Sequence, residues 1–227
     1  MSSDRCTSGY EIFGIVRTYF LLIFFAIFTA SHHPLFPWTN NSNGPLAEPS
    51  KIEETICNKF FSPFNDSNRN EFESIKKRVI GRYGEYRSSW KPGHLHAGID
   101  LKGSYKEIVY PVGKGQVIHI FRSFPHTTIV IKHTLLDNNT IYSMYTHTAE
   151  LTINEGDWVD ENTPLARLFS EAELKQSEFG TANHLHLEIR KSFADRGWAS
   201  NHCMTMDELN KYCLDPLVFF RRNLNNK

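Results

Sequence analysis

Residues 184–190 read His-Leu-His-Leu-Glu-Ile-Arg, a stretch in which polar and apolar side chains alternate. Period-two alternation is typical of a β-strand with one face in the core and the other at a polar site. Because a strand rises about 3.3 Å per residue, His184 and His186 lie on the same face, about 6.6 Å apart. One imidazole can therefore bind a metal ion while the other faces the same pocket without binding it.

The sequence around this stretch predicts an antiparallel β domain. From Arg78 the chain consists of short runs rich in Val, Ile and Tyr, separated by Gly, Pro and Asn. Asp137-Asn138-Asn139 separates two of these runs and predicts a hairpin turn. We expect a mostly β domain of about 145 residues with one core. The runs that we predict as strands before residue 184 are 107–112, 115–121, 127–133 and 140–146.

The composition fits a folded chain of neutral charge. The 227 residues include 25 Lys and Arg and 25 Asp and Glu. No net charge draws the protein to nucleic acid, and we expect no nucleic-acid partner. The chain has 11 His, but a count alone does not make a metal site, since scattered surface His is common.

An apolar segment near the N-terminus predicts export. Residues 18–30 carry no charge and follow Arg17. At 1.5 Å per residue they span about 20 Å, less than the roughly 30 Å hydrocarbon core of a bilayer. This length favours a signal peptide over residues 1–31. The alternative is an uncleaved single-span membrane anchor that begins at Ile12. Either leader makes the protein periplasmic, secreted or membrane-anchored.

Two segments separate the leader from the β domain. Residues 32–50 are polar and turn-forming, which predicts a flexible linker. Residues 51–77 have helical composition broken near Pro63, which predicts a short helical N-terminal region.

Three cysteines, Cys57, Cys203 and Cys213, follow the leader. Cys203 and Cys213 could close a loop as a disulfide worth about 2–3 kcal/mol on the chain-entropy model. They could equally be two buried thiols, and the sequence leaves both alternatives open.

A second histidine motif is His96-Ala97-Gly98-Ile99-Asp100. On a straight strand His96 and Asp100 would be about 13 Å apart, too far to share an ion with bonds near 2.1 Å. They can do so only if the chain bends, which Gly98 permits. Two imidazoles and a carboxylate suit a catalytic zinc that keeps a position for water. The chain has no H-E-x-x-H motif, so another group must handle the proton.

The order of the motifs resembles the lysostaphin-like (LytM-type) zinc endopeptidases, a family that cuts the peptide cross-links of bacterial cell walls. The resemblance covers about residues 78–220. The matching segments, in chain order, are GRYG at 81–84, HAGID at 96–100, PVGKGQVI at 111–118, IVIKH at 129–133, YSMYTH at 142–147, INEGDWVDENTPLARL at 153–168, HLHLEIR at 184–190 and DPL at 215–217.

The resemblance implies a LytM-like peptidase domain over residues 78–222, preceded by short N-terminal helices. Its fold would be mostly β, an antiparallel sheet of the barrel-sandwich, duplicated-hybrid-motif kind. The implied substrate is the cross-link peptide of peptidoglycan in the cell wall. The oligomeric state does not follow from the sequence.

The resemblance also implies the site. One Zn²⁺ per chain would be held by His96, Asp100 and His186, with His147 and His184 as the catalytic pair. Zinc would lower the pKa of its bound water toward about 7, and one histidine of the pair would accept the water proton. The sequence does not decide which one. The histidines that match no position of the family, and receive no role, include His94, His119, His126, His133 and His202.

Two segments depart from the family pattern. Residues 169–183 are longer and more acidic than the usual Gly-rich loop, and Asn183 stands where the family has Pro. Residues 191–212 are an insertion before Asp215. Both would border the groove. They keep open the alternative of a catalytically silent zinc-binding domain that regulates another cell-wall hydrolase or binds a partner.

Overall fold

The computed structural model describes residues 56–88, 91–177 and 182–225, and this part of the chain is mostly β, as predicted. The strands are β1 (Ile56–Cys57), β2 (Val79–Gly81), β3 (Ile99–Lys102), β4 (Ile108–Val109), β5 (Gly115–Phe121), β6 (Thr128–Leu135), β7 (Thr140–Thr146), β8 (Trp158–Val159), β9 (Ala166–Arg167), β10 (His184–Arg190) and β11 (Cys213–Leu214). The helices are α1 (Phe72–Lys76), α2 (Glu171–Gln176), α3 (Ala199–His202), α4 (Met206–Tyr212) and α5 (Pro216–Asn223).

Nine of these strands form one sheet. Its main path runs in the order β2-β3-β10-β7-β6-β5-β8, and every pair along it is antiparallel. Strand β11 adds to β10, and β1 adds to β6 as the single parallel pair of this sheet. Strands β4 and β9 pair with each other in a separate two-stranded ladder. The predicted antiparallel sheet is confirmed.

The central hairpin follows the sequence prediction closely. Strands β5 and β7 have the predicted bounds, and β6 is displaced by one to two residues. In the turn, Asn138 adopts a left-handed φ of 61° and its amide donates to the carbonyl of Leu135 at 2.9 Å. Asp137 accepts a hydrogen bond from the amide of Asn139 at 3.0 Å. A turn of this kind favours Asn and Asp, which explains why the sequence reveals it.

The segment before Arg78 confirms one predicted short helix, α1, and corrects the first part of the predicted helical N-terminal region. Residues 56–57 form strand β1 instead of a helix, and α1 is the only helix in the described residues of this segment. Side chains from it lie in the main core, among them Phe60, Phe64 and Ile75. The helical composition is overridden because strand pairing on β6 and burial of these apolar side chains decide the local structure.

The predicted leader (residues 1–31) and linker (residues 32–50) lie outside the described residues. In the part of the chain that the structure does describe, no helix is both long and apolar enough to span a bilayer. Cys57, Cys203 and Cys213 are buried free thiols, so the structure shows the reduced alternative.

Candidate metal centre

Strand register brings the predicted site residues together. Strand β10 lies between β3 and β7, and His186 is opposite Asp100 on one side and Thr146 on the other. His147 directly follows Thr146 at the end of β7. His184 lies two residues before His186 on the same strand, so the histidines meet at one end of three neighbouring strands.

The chain bends between His96 and Asp100, as the motif requires. Strand β3 begins only at Ile99, and Nε2 of His96 lies 3.0 Å from Oδ1 of Asp100. Gly98 is needed for close approach, since a Cβ atom there would lie 2.3 Å from the carbonyl oxygen of Leu187 in β10. The glycine therefore lets the bend pack against the neighbouring strand.

Three ligand atoms form a nearly equilateral triangle. Nε2 of His96 lies 2.9 Å from Nδ1 of His186, and Oδ1 of Asp100 lies 3.0 and 3.1 Å from these two nitrogens. Ligand atoms around a tetrahedral zinc with bonds near 2.1 Å are about 3.4 Å apart. The triangle needs to widen by only a few tenths of an ångström. In the described part of the chain it is the only group of three His, Cys, Asp or Glu residues placed to hold a metal.

The second nitrogen of each histidine has a separate partner, which fixes the ring. Nδ1 of His96 donates to the carbonyl of Arg82 at 2.8 Å, which leaves the lone pair on Nε2. Nε2 of His186 donates to Oε1 of Glu188 at 3.0 Å, so Nδ1 carries the lone pair once this imidazole is neutral. Both lone pairs therefore lie on the atoms of the triangle, as metal binding requires.

Asp100 is held as a carboxylate with one oxygen toward the triangle. Its Oδ2 accepts a hydrogen bond from Arg87 at 2.6 Å, and a Cβ atom at Gly81 would lie 2.4 Å from this oxygen. Burial would raise the pKa of Asp100, but the adjoining imidazoles of His186 and His96 outweigh it and hold the pKa well below its usual range. Asp100 is thus negative at neutral pH, as a metal ligand must be.

Two further histidines lie beside the triangle. The rings of His147 and His184 are 5.0 Å apart. Nδ1 of His147 donates to the carbonyl of Pro125 at 3.0 Å, and Nδ1 of His184 donates to the carbonyl of Ala182 at 2.7 Å. Nε2 of His184 lies 3.9 Å from Oδ1 of Asp100. In both rings Nε2 is then the nitrogen that can accept a proton.

Burial keeps His147 neutral. It lowers the pKa of His147 well below the usual value, and the nearby His184 and His186 lower it further. His147 is therefore unprotonated at neutral pH, and its Nε2 can accept a proton.

The sequence model of peptidase family M23 matches residues 94–201, a range that contains all five of these residues. Over residues 94–201 this chain is similar to peptidase family M23, and the β domain that contains them is called the M23 domain. Among curated proteins none matches the chain.

Solved structures similar to this M23 domain share limited sequence. A zinc-containing peptidase from Vibrio cholerae is 20% identical with a TM-score of 0.43, over 58% of this chain and 37% of that one. The catalytic domain of the antimicrobial peptidase lysostaphin from Staphylococcus simulans is 18% identical with a TM-score of 0.48, over 67% of this chain and 98% of that one. LytU is 22% identical with a TM-score of 0.44, over 72% of this chain and 97% of that one. This chain therefore spans well under half of the Vibrio protein.

A cleft of about 610 Å³ in the M23 domain opens over the ligand triangle and the neighbouring pair His147 and His184. Its walls include apolar side chains at Phe121, Met144 and Trp198. The insertion 191–212 supplies one wall, as expected, with Trp198 stacked on His202 at a ring distance of 4.9 Å. Helix α2 of the segment 169–183 contributes no residue to the lining among those described.

Segment 169–183 of the M23 domain contains the short helix α2. Ser170 and Glu173 form a capping box at the start of α2, and Glu173 also pairs with Arg167 at 2.7 Å. Asn183, in the position of the family's Pro, donates through Nδ2 to the carbonyls of Ser104 and Phe169. Its amide thereby fixes the chain just before His184.

Several cleft residues of the M23 domain carry no role in the sequence prediction. His94, His126 and His202 line the cleft, and the His126 ring lies 5.4 Å from that of His147. Glu188, the partner of His186, could have been found, because strand alternation places residues 186 and 188 on the same face. Arg87 gives no such signal, because it lies on a loop, where the sequence has no periodic pattern.

Metal binding to the M23 domain is expected to release about one proton at pH 7. Burial lowers the pKa of His186, but hydrogen bonds to Asp100 and Glu188 outweigh it and raise this pKa to about 9 in the metal-free protein. Below pH 9 a metal must displace that proton, so the apparent zinc affinity should rise about tenfold per pH unit from pH 7 to 9 and then level off. Calorimetry of zinc binding in buffers of different ionisation enthalpy measures the number of protons released. An affinity that does not change over this range would contradict the assignment of His186.

Proposed function

We propose that this M23 domain is an exported zinc endopeptidase that hydrolyses the peptide cross-links of peptidoglycan. The observation that carries the proposal is the triangle of His96 Nε2, Asp100 Oδ1 and His186 Nδ1, with His147 and His184 beside it in one cleft. The family supports peptidase activity. The substrate class follows from the resemblance of the motif order to cell-wall endopeptidases.

The three residues of the triangle would hold one Zn²⁺ per chain. Zinc bound there would supply Lewis acidity and lower the pKa of a bound water toward about 7. His96 and His186 enter as neutral ligands whose other nitrogens donate to Arg82 and Glu188. Asp100 brings the negative charge, and Arg87 holds its second oxygen.

His147 and His184 are proposed as the proton-transfer pair. Each is fixed through Nδ1 to a backbone carbonyl, which keeps its ring in place. One of the two would take a proton from the attacking water at Nε2. The pair would then stabilise the oxyanion of the tetrahedral intermediate and return a proton to the leaving amine.

The cleft suits an extended peptide with the scissile bond beside the triangle. Phe121 and Met144 offer apolar surface, and Trp198 is a large exposed aromatic side chain on the wall formed by the insertion. Side chains of this kind position a substrate while the metal and histidines act on the amide.

Mass spectrometry of digested cell walls tests the proposal. Purified protein with zinc should release muropeptides in which cross-links are cut, each cleavage adding one water and exposing one new amine and one new carboxylate. Asp100→Asn is the matched control, because it keeps the size of the side chain and removes the charge that a metal needs. A panel of directly linked and glycine-bridged walls that stays intact while the protein holds zinc would contradict the proposal and favour the silent, regulatory domain.

A further inference from the structure

The environment of Glu188 connects the predicted metal centre to the insertion 191–212. Glu188 is fully buried in β10 and accepts the hydrogen bond from Nε2 of His186 through Oε1. Arg190, also fully buried, donates to Oε2 of Glu188 at 2.5 Å. A buried carboxylate with these two partners stays ionised, since the charges of Arg190 and the hydrogen bonds compensate the loss of water.

Ser200 from the insertion donates its hydroxyl to the same oxygen, Oε1, that accepts from His186. This residue lies in α3, twelve residues beyond Glu188 in the chain. Oε1 thus receives two donors, one from the strand and one from the insertion. The hydroxyl therefore helps to set where the oxygen lies, and through it the orientation of the His186 ring.

Asp195 holds this part of the insertion in place. Its Oδ1 accepts from Nη2 of Arg190, and its Oδ2 accepts from the backbone amide of Ala199 at 2.9 Å. Arg190 therefore bridges Glu188 and Asp195, while Asp195 fixes the first residue of α3, directly before Ser200. The result is a closed set of contacts among Glu188, Arg190, Asp195 and Ser200.

We propose that Ser200 and Asp195 are positioning residues of the metal centre, acting through Glu188 on His186. The inference rests on the zinc site of the proposed function. A metal-bound histidine is oriented, and its basicity tuned, by the acceptor of its other N–H group. Here that acceptor is itself oriented by an insertion that departs from the family pattern. The insertion is thus both a wall of the cleft and an outer support of a metal ligand.

Zinc affinity of the full chain, measured by competition with a chelator, tests the proposal. Ser200→Ala is expected to weaken zinc binding about tenfold, the lower end of the range for partners of metal ligands. Ser200→Thr keeps the hydroxyl and should restore the wild-type affinity. Asp195→Asn is a second variant and should also weaken binding, because it removes the charge that faces Arg190.

Ser192→Ala is the matched control. It removes a hydroxyl from the same insertion, but Ser192 Oγ accepts only from the amide of Ala194 among its described hydrogen bonds, and its affinity for zinc should stay within about twofold of the wild type. Unchanged affinity in both Ser200→Ala and Asp195→Asn, or an equal loss in Ser192→Ala, would overturn the inference. A wild-type protein that binds no zinc would overturn the proposed function instead.

Discussion

Replacing His186 with alanine is expected to abolish stable zinc binding. The variant lacks Nδ1 of the ligand triangle and leaves Asp100 and Glu188 buried without the imidazole between them. Structural zinc sites with four protein ligands bind with about 10–16 kcal/mol, so one ligand contributes roughly 3–4 kcal/mol, and the affinity should fall by roughly a few hundredfold. Metal analysis after dialysis against a weak chelator measures the loss, and circular dichroism checks that the variant is folded.

His94→Ala is the control for this loss. His94 is buried, lines the same cleft and belongs to a second H-L-H sequence at residues 94–96. Its Nδ1 donates to the carbonyl of Lys91, and it is not part of the triangle. The control should keep about one zinc per chain. Equal zinc content in His186→Ala and His94→Ala would contradict the assignment of the ligands.

Replacing His184 with alanine is expected to separate zinc binding from activity. His184 lies beside the triangle without belonging to it, so zinc should remain bound. Loss of a positioned proton-transfer group should lower the cleavage rate of cross-linked muropeptides about 10²–10⁴-fold. His147→Ala should have the same pattern, because its ring lies 5.0 Å from that of His184 and is fixed in the same way. Rates and zinc content are measured on the same samples.

His119→Ala provides the comparison for these two variants. His119 lies on β5, pairs with Glu155 and is not among the residues of the cleft. Its replacement should leave both zinc content and rate unchanged. A variant at His184 that loses zinc together with activity would make this residue a ligand, and one that keeps full activity would remove it from the mechanism.

Much of the fold follows from local sequence rules. Strand β10 is evident from the alternation in HLHLEIR, and β5 and β7 from their apolar runs. The bend before β3 is predictable, because His96 and Asp100 can share a metal ion only if the chain bends between them. The sequence does not show that Gly98 is needed there for its close contact with the backbone of Leu187. These features depend on residues near one another in the chain, where periodicity and turn chemistry apply.

Contacts between distant segments are what the sequence does not reveal. Residues 56–57 lie in a segment of helical composition, but they pair with β6 about 80 residues later. Glu188 is predictable as a neighbour of His186 on one strand face, whereas Ser200 reaches it from a short helix in the insertion. Arg87, which donates to Asp100, lies on a loop that has no periodic pattern. Such contacts are set by packing, which spacing rules do not describe.

Anomalous diffraction at the zinc absorption edge tests whether His96, Asp100 and His186 bind one zinc ion. In crystals of the zinc-loaded protein we expect one anomalous peak, within about 2.1 Å of His96 Nε2, Asp100 Oδ1 and His186 Nδ1. A map with no peak at this triangle, or with the zinc bound elsewhere on the domain, would contradict the assignment of these three residues as zinc ligands.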